Sequence, residues 1–175
     1  MVGNIYKDVL TCFDMLKNEY GFKQAWAWPK RVEKFFKDNI KGKHSCHVFS
    51  GSSSLGEVRV DIEDKKNVTH VQDILKGLTF SDEEFSVVFG DPPWHIAKHL
   101  RSKIMYEMRR ICAVNGMIIL NANWNPNNLK GCVLLEPIYI SGGRMPFGNS
   151  AMIIRYLKIQ SEENRIKEQE EIEKK

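Results

Sequence analysis

Four short apolar runs follow one another within about 45 residues, and they constrain the fold more than any other feature of the chain. The runs cover residues 47–49, 58–62, 68–71 and 85–89. Turns rich in Gly, Ser and charged residues separate them. Short apolar runs spaced in this way are typical of strands in a parallel sheet that is covered on both faces. The sequence therefore predicts an α/β fold.

Helical periodicity is visible before and after these runs. Apolar residues recur every three or four positions over 4–20 and again over 95–113, where an Asn-Gly pair at 115–116 is expected to end the helix. Another helix is predicted to begin near Pro29, since proline suits a first helical turn. It is expected to bury Val32, Phe35, Phe36 and Ile40.

Residues 20–28 form a predicted loop that is rich in aromatic side chains. Aromatics interleaved with lysines can stack on bases while the cations meet phosphates. Tryptophans beside a helix start also commonly cap a hydrophobic core, and this second interpretation is favoured for Trp26 and Trp28.

The second half of the chain predicts three more strands, over 117–120, 132–140 and 151–159. A polar turn follows the first of them, and a glycine-rich loop over 141–150 joins the last two. Residues 1–160 are expected to form one domain, with an N-terminal helical part over 1–43 and a core sheet over 44–160. Residues 161–175 are expected to be a charged helix or tail on the surface.

Composition is that of a soluble globular protein. The 175 residues suit one domain. With 42% hydrophobic and 27% charged residues, neither a disordered chain nor a membrane protein is expected. We expect a cytoplasmic protein, because the N-terminus lacks the pattern of a secretory signal. The four scattered cysteines are expected to be reduced core residues. The net charge of +4 permits a polyanionic partner without identifying one.

The tetrapeptide Asp91-Pro92-Pro93-Trp94 lies between a predicted strand and a predicted helix. Ligands of open α/β sheets bind beyond the carboxyl ends of the strands, where this tetrapeptide falls. Two prolines fix the backbone and leave carbonyl oxygens as acceptors, beside a carboxylate and an indole face. The set suits an amino group on an aromatic heterocycle. A plain Pro-Pro turn with Trp94 in the core is an equally weighted alternative.

A second candidate site surrounds the first predicted strand. The turn over 49–56 is small and rich in Gly and Ser, so its backbone can approach a ligand closely. Asp61 and Asp73 end the next two strands, and an acid at such a position can hold ribose hydroxyls. The chain contains no Gly-x-Gly-x-x-Gly, which argues against a nicotinamide cofactor, and no Gly-Lys-Ser/Thr, which excludes a P-loop.

Together, Phe49-x-Gly51, the strand-end acids, the Asp-Pro-Pro-Trp motif and the terminal hairpin resemble the class I S-adenosylmethionine-dependent methyltransferases. Within that class the motif marks the amino-methyltransferases that modify adenine N6 or cytosine N4. The resemblance covers about residues 44–160. It implies a Rossmann-like, mostly parallel sheet of seven strands with an antiparallel last strand, helices on both faces and extra N-terminal helices.

The resemblance also implies roles for particular residues. The catalytic set would be Asp91, Pro92, Pro93 and Trp94. The set that binds S-adenosyl-L-methionine would be Phe49, Ser50, Gly51, Ser52, Ser53, Asp61, Ile62, Asp73, Ile74 and Gly90. Two departures stand out: Ser53 replaces the usual second glycine, and the interval to Asp61 leaves room only for a turn where the family has a full helix.

Sheet geometry predicts which loops join the site. The loop over 141–150 and the turn over 121–128 should emerge at the same edge as Trp94. Trp124, Arg144 and Phe147 are therefore candidates for binding nucleic acid, with an ordinary glycine-rich hairpin as an equal alternative.

The cluster of His44, Cys46 and His47 is a poor zinc site, because neighbours on a strand point to opposite faces and no second ligand pair exists. No metal is therefore expected.

The resulting hypothesis is a methyltransferase acting on an exocyclic base amine, with site-specific adenine N6 methylation of DNA favoured. RNA adenine N6 or cytosine N4 methylation, or a catalytically silent methyltransferase fold that binds nucleic acid or a partner subunit, are the alternatives. The expected partner is nucleic acid, with DNA favoured over RNA, and no association with a membrane is expected. No residues remain for a target-recognition domain, which suggests a homodimer or a separate specificity subunit.

Overall fold

The computed structural model describes residues 28, 30–93, 96–122, 124, 128–140 and 151–173. These residues form three helices and eight strands. The helices are α1 (Lys30–Ile40), α2 (Lys98–Ile111) and α3 (Glu162–Glu173), with a short 3₁₀ helix at Ile74–Lys76. The strands are β1 (Ser45–Val48), β2 (Val58–Asp61), β3 (His70–Val71), β4 (Phe85–Gly90), β5 (Cys112–Asn121), β6 (Cys132–Leu134), β7 (Ile138–Ile140) and β8 (Ala151–Lys158).

Several predictions lie outside the described residues. They are the helix over 4–20, the aromatic loop up to residue 27, the loop over 141–150, Cys12, Trp94, Arg144 and Phe147.

One sheet contains all eight strands, in the order β3-β2-β1-β4-β5-β8-β6, with β7 also paired to β8. Strands β1 to β5 run parallel to one another, and β8 is antiparallel to β5. Strands β6 and β7 run antiparallel to β8 and hence along the direction of the parallel strands. The predicted mostly parallel sheet with an antiparallel last strand is confirmed.

The extra strand arises where one strand was predicted over 132–140. Leu134 pairs with Tyr156 but Ile138 pairs with Ile153, so this strand carries one more residue than β8 over the same stretch. That bulge includes Pro137, which has no N–H to donate to the ladder. The sixth predicted strand is therefore split into β6 and β7, and its overall course is as predicted.

The junction between α2 and β5 also differs from its prediction. The helix ends at Ile111 and the strand begins at Cys112, with no turn between them. Asn115 lies within β5 with φ of 62°, and the pairing of β4 with β5 shifts register between Phe85 and Val87. Asn-Gly thus marks an irregularity inside a strand, since Asn tolerates this backbone conformation better than most residues.

Helices cover both faces of the sheet, as predicted. Successive residues of β4 point to opposite sides of the sheet. Val88 therefore packs in the hydrophobic cluster that includes side chains of α2, and Phe89 in the cluster that includes side chains of α1. Helix α1 buries Val32 and Phe36 fully against the sheet. In the part of the chain that the structure describes, no helix has the length and apolar character needed to span a membrane.

The C-terminal segment forms helix α3, whose first residue is buried. Glu162 lies 3.0 Å from the guanidinium of Arg109 and 3.2 Å from the ammonium of Lys158, and all three side chains are almost fully buried. Lys158 also donates to the carbonyl oxygens of Arg109 and Cys112. These contacts attach the start of the charged segment to α2 and β8.

Candidate active site at the carboxyl edge of the sheet

Strand register brings the candidate residues to one row. Val48 at the end of β1 pairs with Val60 on one side and with Gly90 on the other. The residues that come next in these strands, Phe49, Asp61 and Asp91, therefore lie side by side at the carboxyl edge. Strands β2 and β3 lie on one side of β1 in the sheet, and β4 and β5 lie on the other, so the direction in which strands are added reverses at β1. Such a switch point is where open α/β sheets bind ligands.

Gly90 lets β1 and β4 approach closely at this point. A Cβ built on Gly90 would lie 2.5 Å from the carbonyl oxygen of Val48, which is closer than real side chains allow. The position before Asp91 therefore accepts only glycine. This packing role supplies a reason for Gly90 that does not depend on a ligand.

The turn after β1 has an unusual backbone. Phe49 and Gly51 both adopt positive φ, at 57° and 54°. A bulky residue rarely adopts this conformation, and strained residues of this kind cluster at functional sites. A Cβ on Gly51 would meet nothing within 4 Å, so the turn faces open space, while the buried hydroxyl of Ser50 has no hydrogen-bond partner among the described residues. As predicted, no helix forms between β1 and β2.

Asp61 ties this turn to the end of β2. Its Oδ2 accepts a hydrogen bond of 2.7 Å from the backbone N–H of Gly51, and its Oδ1 accepts one of 3.1 Å from Glu63. The carboxylate is thus held in place while keeping lone pairs for further donors. Beside it, the apolar side chain of Ile62 is 64% exposed at the edge of the sheet.

Asp73 and Ile74 follow β3 and begin the 3₁₀ helix. The carboxylate of Asp73 caps that helix by accepting from the N–H of Leu75 at 3.0 Å. Ile74 is buried in the core. Of the two isoleucines predicted to bind the cofactor, Ile62 and Ile74, Ile62 has the more accessible apolar surface.

The Asp91 carboxylate has a hydrogen-bond partner that the sequence did not reveal. Its Oδ2 accepts from the indole Nε1 of Trp28 at 2.9 Å. The Trp28 ring stacks on Phe36 with centroids 4.2 Å apart, so the favoured core-capping interpretation holds for Trp28. Its polar edge, however, points to the candidate catalytic acid. The two residues lie 63 positions apart, and only the fold brings them together.

The two prolines shape the turn after Asp91. Pro92 is buried and Pro93 half-buried, and the carbonyl of Pro93 accepts from the N–H of Ile96 at 3.0 Å. That bond uses the second proline's carbonyl for local structure. Pro92 is therefore the better candidate to accept a hydrogen bond from a ligand.

Trp124 lies just beyond the end of β5 and is only 8% exposed. It belongs to the core cluster under α2, and the guanidinium of Arg101 lies over its ring at 5.0 Å. Its indole N–H is buried without a partner among the described residues. The structure thus places Trp124 at the predicted edge, with its ring largely packed.

His47 belongs to the aromatic cluster behind the site. Its ring stacks on Phe89 at 4.4 Å, and its Nδ1 lies 3.2 Å from the carbonyl oxygen of Leu55. His44, on the exposed side, contacts Glu57. Among the described residues, no group of three or more His, Cys, Asp or Glu side chains could hold a metal ion.

The buried His47 makes stability depend on pH. Burial lowers its pKa to about 3, although the bond to Leu55 opposes this shift. Below about pH 6.5, His47 therefore binds a proton in the unfolded chain, whereas in the folded chain it stays neutral until the pH approaches about 3. We expect the free energy of unfolding to fall as pH drops from about 6.5 toward about 3, by up to about 1.4 kcal/mol per pH unit from this residue. Urea denaturation across that range measures it.

Two variants isolate the contribution of His47. His47→Gln should show a shallower pH dependence than the wild type, because no histidine remains to titrate at the buried position. His44→Gln removes an exposed histidine and should keep the contribution of His47. Identical pH dependence of the wild type and His47→Gln would contradict the prediction.

No protein-family model and no curated protein sequence matches this chain. Solved structures do. The N-methyltransferase NodS from Bradyrhizobium japonicum WM9, in complex with S-adenosyl-L-homocysteine, superposes with a TM-score of 0.57 at 10% identity, covering 85% of this chain and 98% of NodS. The chain has the class I methyltransferase fold.

Other methyltransferases share this fold with the chain. The 1,6-didemethyltoxoflavin-N1-methyltransferase of Burkholderia thailandensis, with bound 1,6-didemethyltoxoflavin and S-adenosylhomocysteine, gives a TM-score of 0.57 at 9% identity and covers 89% of each chain. A complex between the Trm112 methyltransferase activator of Haloferax volcanii and the putative methyltransferase gives 0.50 at 10% identity, covering 75% of this chain and 93% of that one. Proteins with this methyltransferase fold therefore also occur with partner subunits.

Proposed function

We propose that the protein is an S-adenosylmethionine-dependent methyltransferase that acts on an exocyclic amino group of a nucleobase, with adenine N6 in DNA favoured. One observation carries the proposal. The Asp91-Pro92-Pro93 turn lies directly beside the strained Phe49–Gly51 turn, at the switch point of a methyltransferase fold. A methyl donor at one turn and an amine at the other would be neighbours.

The residues around the first turn fit the cofactor. Gly51 faces open space, the Ser50 hydroxyl is buried without a described partner, and Asp61 is held at the end of β2 with lone pairs to spare. In this proposal Phe49–Ser53 approach the methionine part, Asp61 the ribose, and Ile62, Asp73 and Ile74 the adenine. When bound, S-adenosylmethionine supplies an electrophilic methyl group. Both methyltransferases with bound S-adenosylhomocysteine described above support this choice.

The second turn fits an amine. The lone pair of a conjugated exocyclic amine is delocalised into its ring, so the nitrogen is a poor nucleophile. Asp91 and the Pro92 carbonyl would accept its two N–H bonds and orient the nitrogen, while Trp94 would stack on the base. NodS and the toxoflavin enzyme are N-methyltransferases, which supports a nitrogen acceptor.

Basic residues near the site support a polyanionic substrate. Helix α1 begins two residues after Trp28, whose indole contacts Asp91. The exposed cations in the first turns of α1 are Lys30, Arg31 and Lys34. Lys34 pairs with Asp38 within the helix. The positive charge at this end of the helix suits a nucleic-acid backbone. Recognition would involve Trp124, Arg144 and Phe147, and a second copy or a specificity subunit.

Calorimetric titration with S-adenosylmethionine tests the first half of the proposal. The wild type should bind, and Asp61→Ala should lose about tenfold or more in affinity, since Asp61 holds the binding turn through Gly51 and is proposed to bind the ribose. Asp64→Ala removes an exposed carboxylate three residues away and should bind like the wild type. No binding by the wild type would overturn the proposal.

Transfer of a labelled methyl group tests the second half. DNA, RNA and free nucleosides are offered as substrates, and the products are digested to nucleosides and identified by mass spectrometry. Label in N6-methyladenine of DNA is the expected result. Binding of the cofactor without transfer to any substrate would favour the catalytically silent methyltransferase fold. The lack of a helix between β1 and β2 and the presence of Ser53 are also compatible with that alternative.

A further inference from the structure

We infer that Trp28 is a positioning residue for the Asp91 carboxylate, an inference that rests on the proposed methyltransferase function. Its indole N–H donates to Oδ2 of Asp91 at 2.9 Å, a good hydrogen-bond length. The indole nitrogen is a donor only. It can therefore hold a carboxyl oxygen in one orientation without competing for the protons of a substrate amine.

The Trp28 ring packs against a cluster of three aromatic side chains. It stacks on Phe36 of α1 with an interplanar angle of 20°, and its centroid lies 5.2 Å from the ring of His47 and 6.4 Å from that of Phe89. These three supporting side chains are at most 1% exposed. A ring packed against three buried aromatics has little freedom to turn, so its N–H points in a defined direction.

The backbone of Asp91 is already fixed by its neighbours. Gly90 is paired to Val48 and to Leu120, and Pro92 restricts the residue before it to extended conformations. What remains is rotation of the Asp91 side chain. The bond from Trp28 acts on that rotation and so sets how the carboxylate meets the amine that it is proposed to bind.

The first test removes the N–H and keeps an aromatic ring. Trp28→Phe should lower kcat about ten- to a hundredfold, because a small misplacement of a group that orients the substrate has effects of this size. The affinity for S-adenosylmethionine, measured by calorimetry, should stay within about twofold. Phe35→Leu is the matched control: it changes an aromatic residue of the same cluster that is in contact with Phe36, and kcat should remain near the wild-type value.

A double-mutant cycle separates positioning from packing. In an Asp91→Ala background, Trp28→Phe should have a much smaller effect on kcat than in the wild type, since the carboxylate on which it acts is absent. Equal effects in both backgrounds, or an unchanged kcat in Trp28→Phe alone, would overturn the inference and leave the proposed function intact.

A third measurement does not depend on activity. The chain has four tryptophans, and the indole ¹H–¹⁵N resonance absent from Trp28→Phe identifies residue 28. That resonance should shift and exchange faster with solvent in Asp91→Ala. If it is unaffected, the hydrogen bond is absent and the inference fails. If it responds but the wild type methylates no substrate, the proposed function fails while the hydrogen bond stands.

Discussion

Asp91→Ala is expected to lower methyl transfer about a thousandfold while the affinity for S-adenosylmethionine stays nearly unchanged. Asp91 follows β4 at the switch point of the sheet, one residue beyond the row where β1 and β4 pair. It is proposed to accept an N–H bond from the reacting amine. Asp61, the other carboxylate of this row, cannot replace it, because it lies on β2, on the far side of β1 from Asp91. Single-turnover assays with labelled cofactor measure the transfer step directly.

Two controls make this prediction specific. Asp64→Ala removes an exposed carboxylate of the same kind and should transfer methyl groups at the wild-type rate. Thermal unfolding of Asp91→Ala should show a folded protein, somewhat less stable because the indole of Trp28 loses its acceptor. Undiminished turnover in Asp91→Ala would remove Asp91 from the reaction.

The sequence was most informative where local pattern decides the structure. The apolar runs predicted strands over 58–62 and 85–89, and the structure has β2 and β4 within a residue of those bounds. Element ends were less predictable, because they depend on partners far along the chain. Pro137 splits a strand only through its register with β8, and Cys112 joins a strand only because β4 pairs with it.

The same distinction applies to the candidate site. A strand followed by Asp-Pro-Pro-Trp predicted that Asp91 would lie at a carboxyl edge, and it does. The bond from Trp28 could not be predicted, since a tryptophan near a helix start gives no information about a residue 63 positions later. A tryptophan directly before the proline near which a helix was predicted to begin was the available signal, and it indicated packing only.

The C-terminal helix supplies the largest expected change in stability. Glu162→Gln should lower the free energy of unfolding by about 3–5 kcal/mol. The carboxylate of Glu162 lies between the buried cations of Arg109 and Lys158. Without it, the only carboxylate among the described residues that pairs with either cation is that of Glu83, 3.2 Å from Lys158. An uncompensated buried charge is costly because the protein interior solvates it poorly. Urea denaturation monitored by circular dichroism measures the loss.

Glu163→Gln is the matched control on the next residue of the same helix. Glu163 is exposed and, among the residues that the structure describes, pairs only with Lys167, so its replacement should leave the midpoint of unfolding in place. A second variant, Arg109→Met combined with Glu162→Met, removes one cation together with the carboxylate and should recover part of the loss, since a buried pair replaced by apolar side chains costs less than a broken pair. Equal stability of Glu162→Gln and the wild type would show that the three charges are solvated, and that the helix is not held to α2 by them.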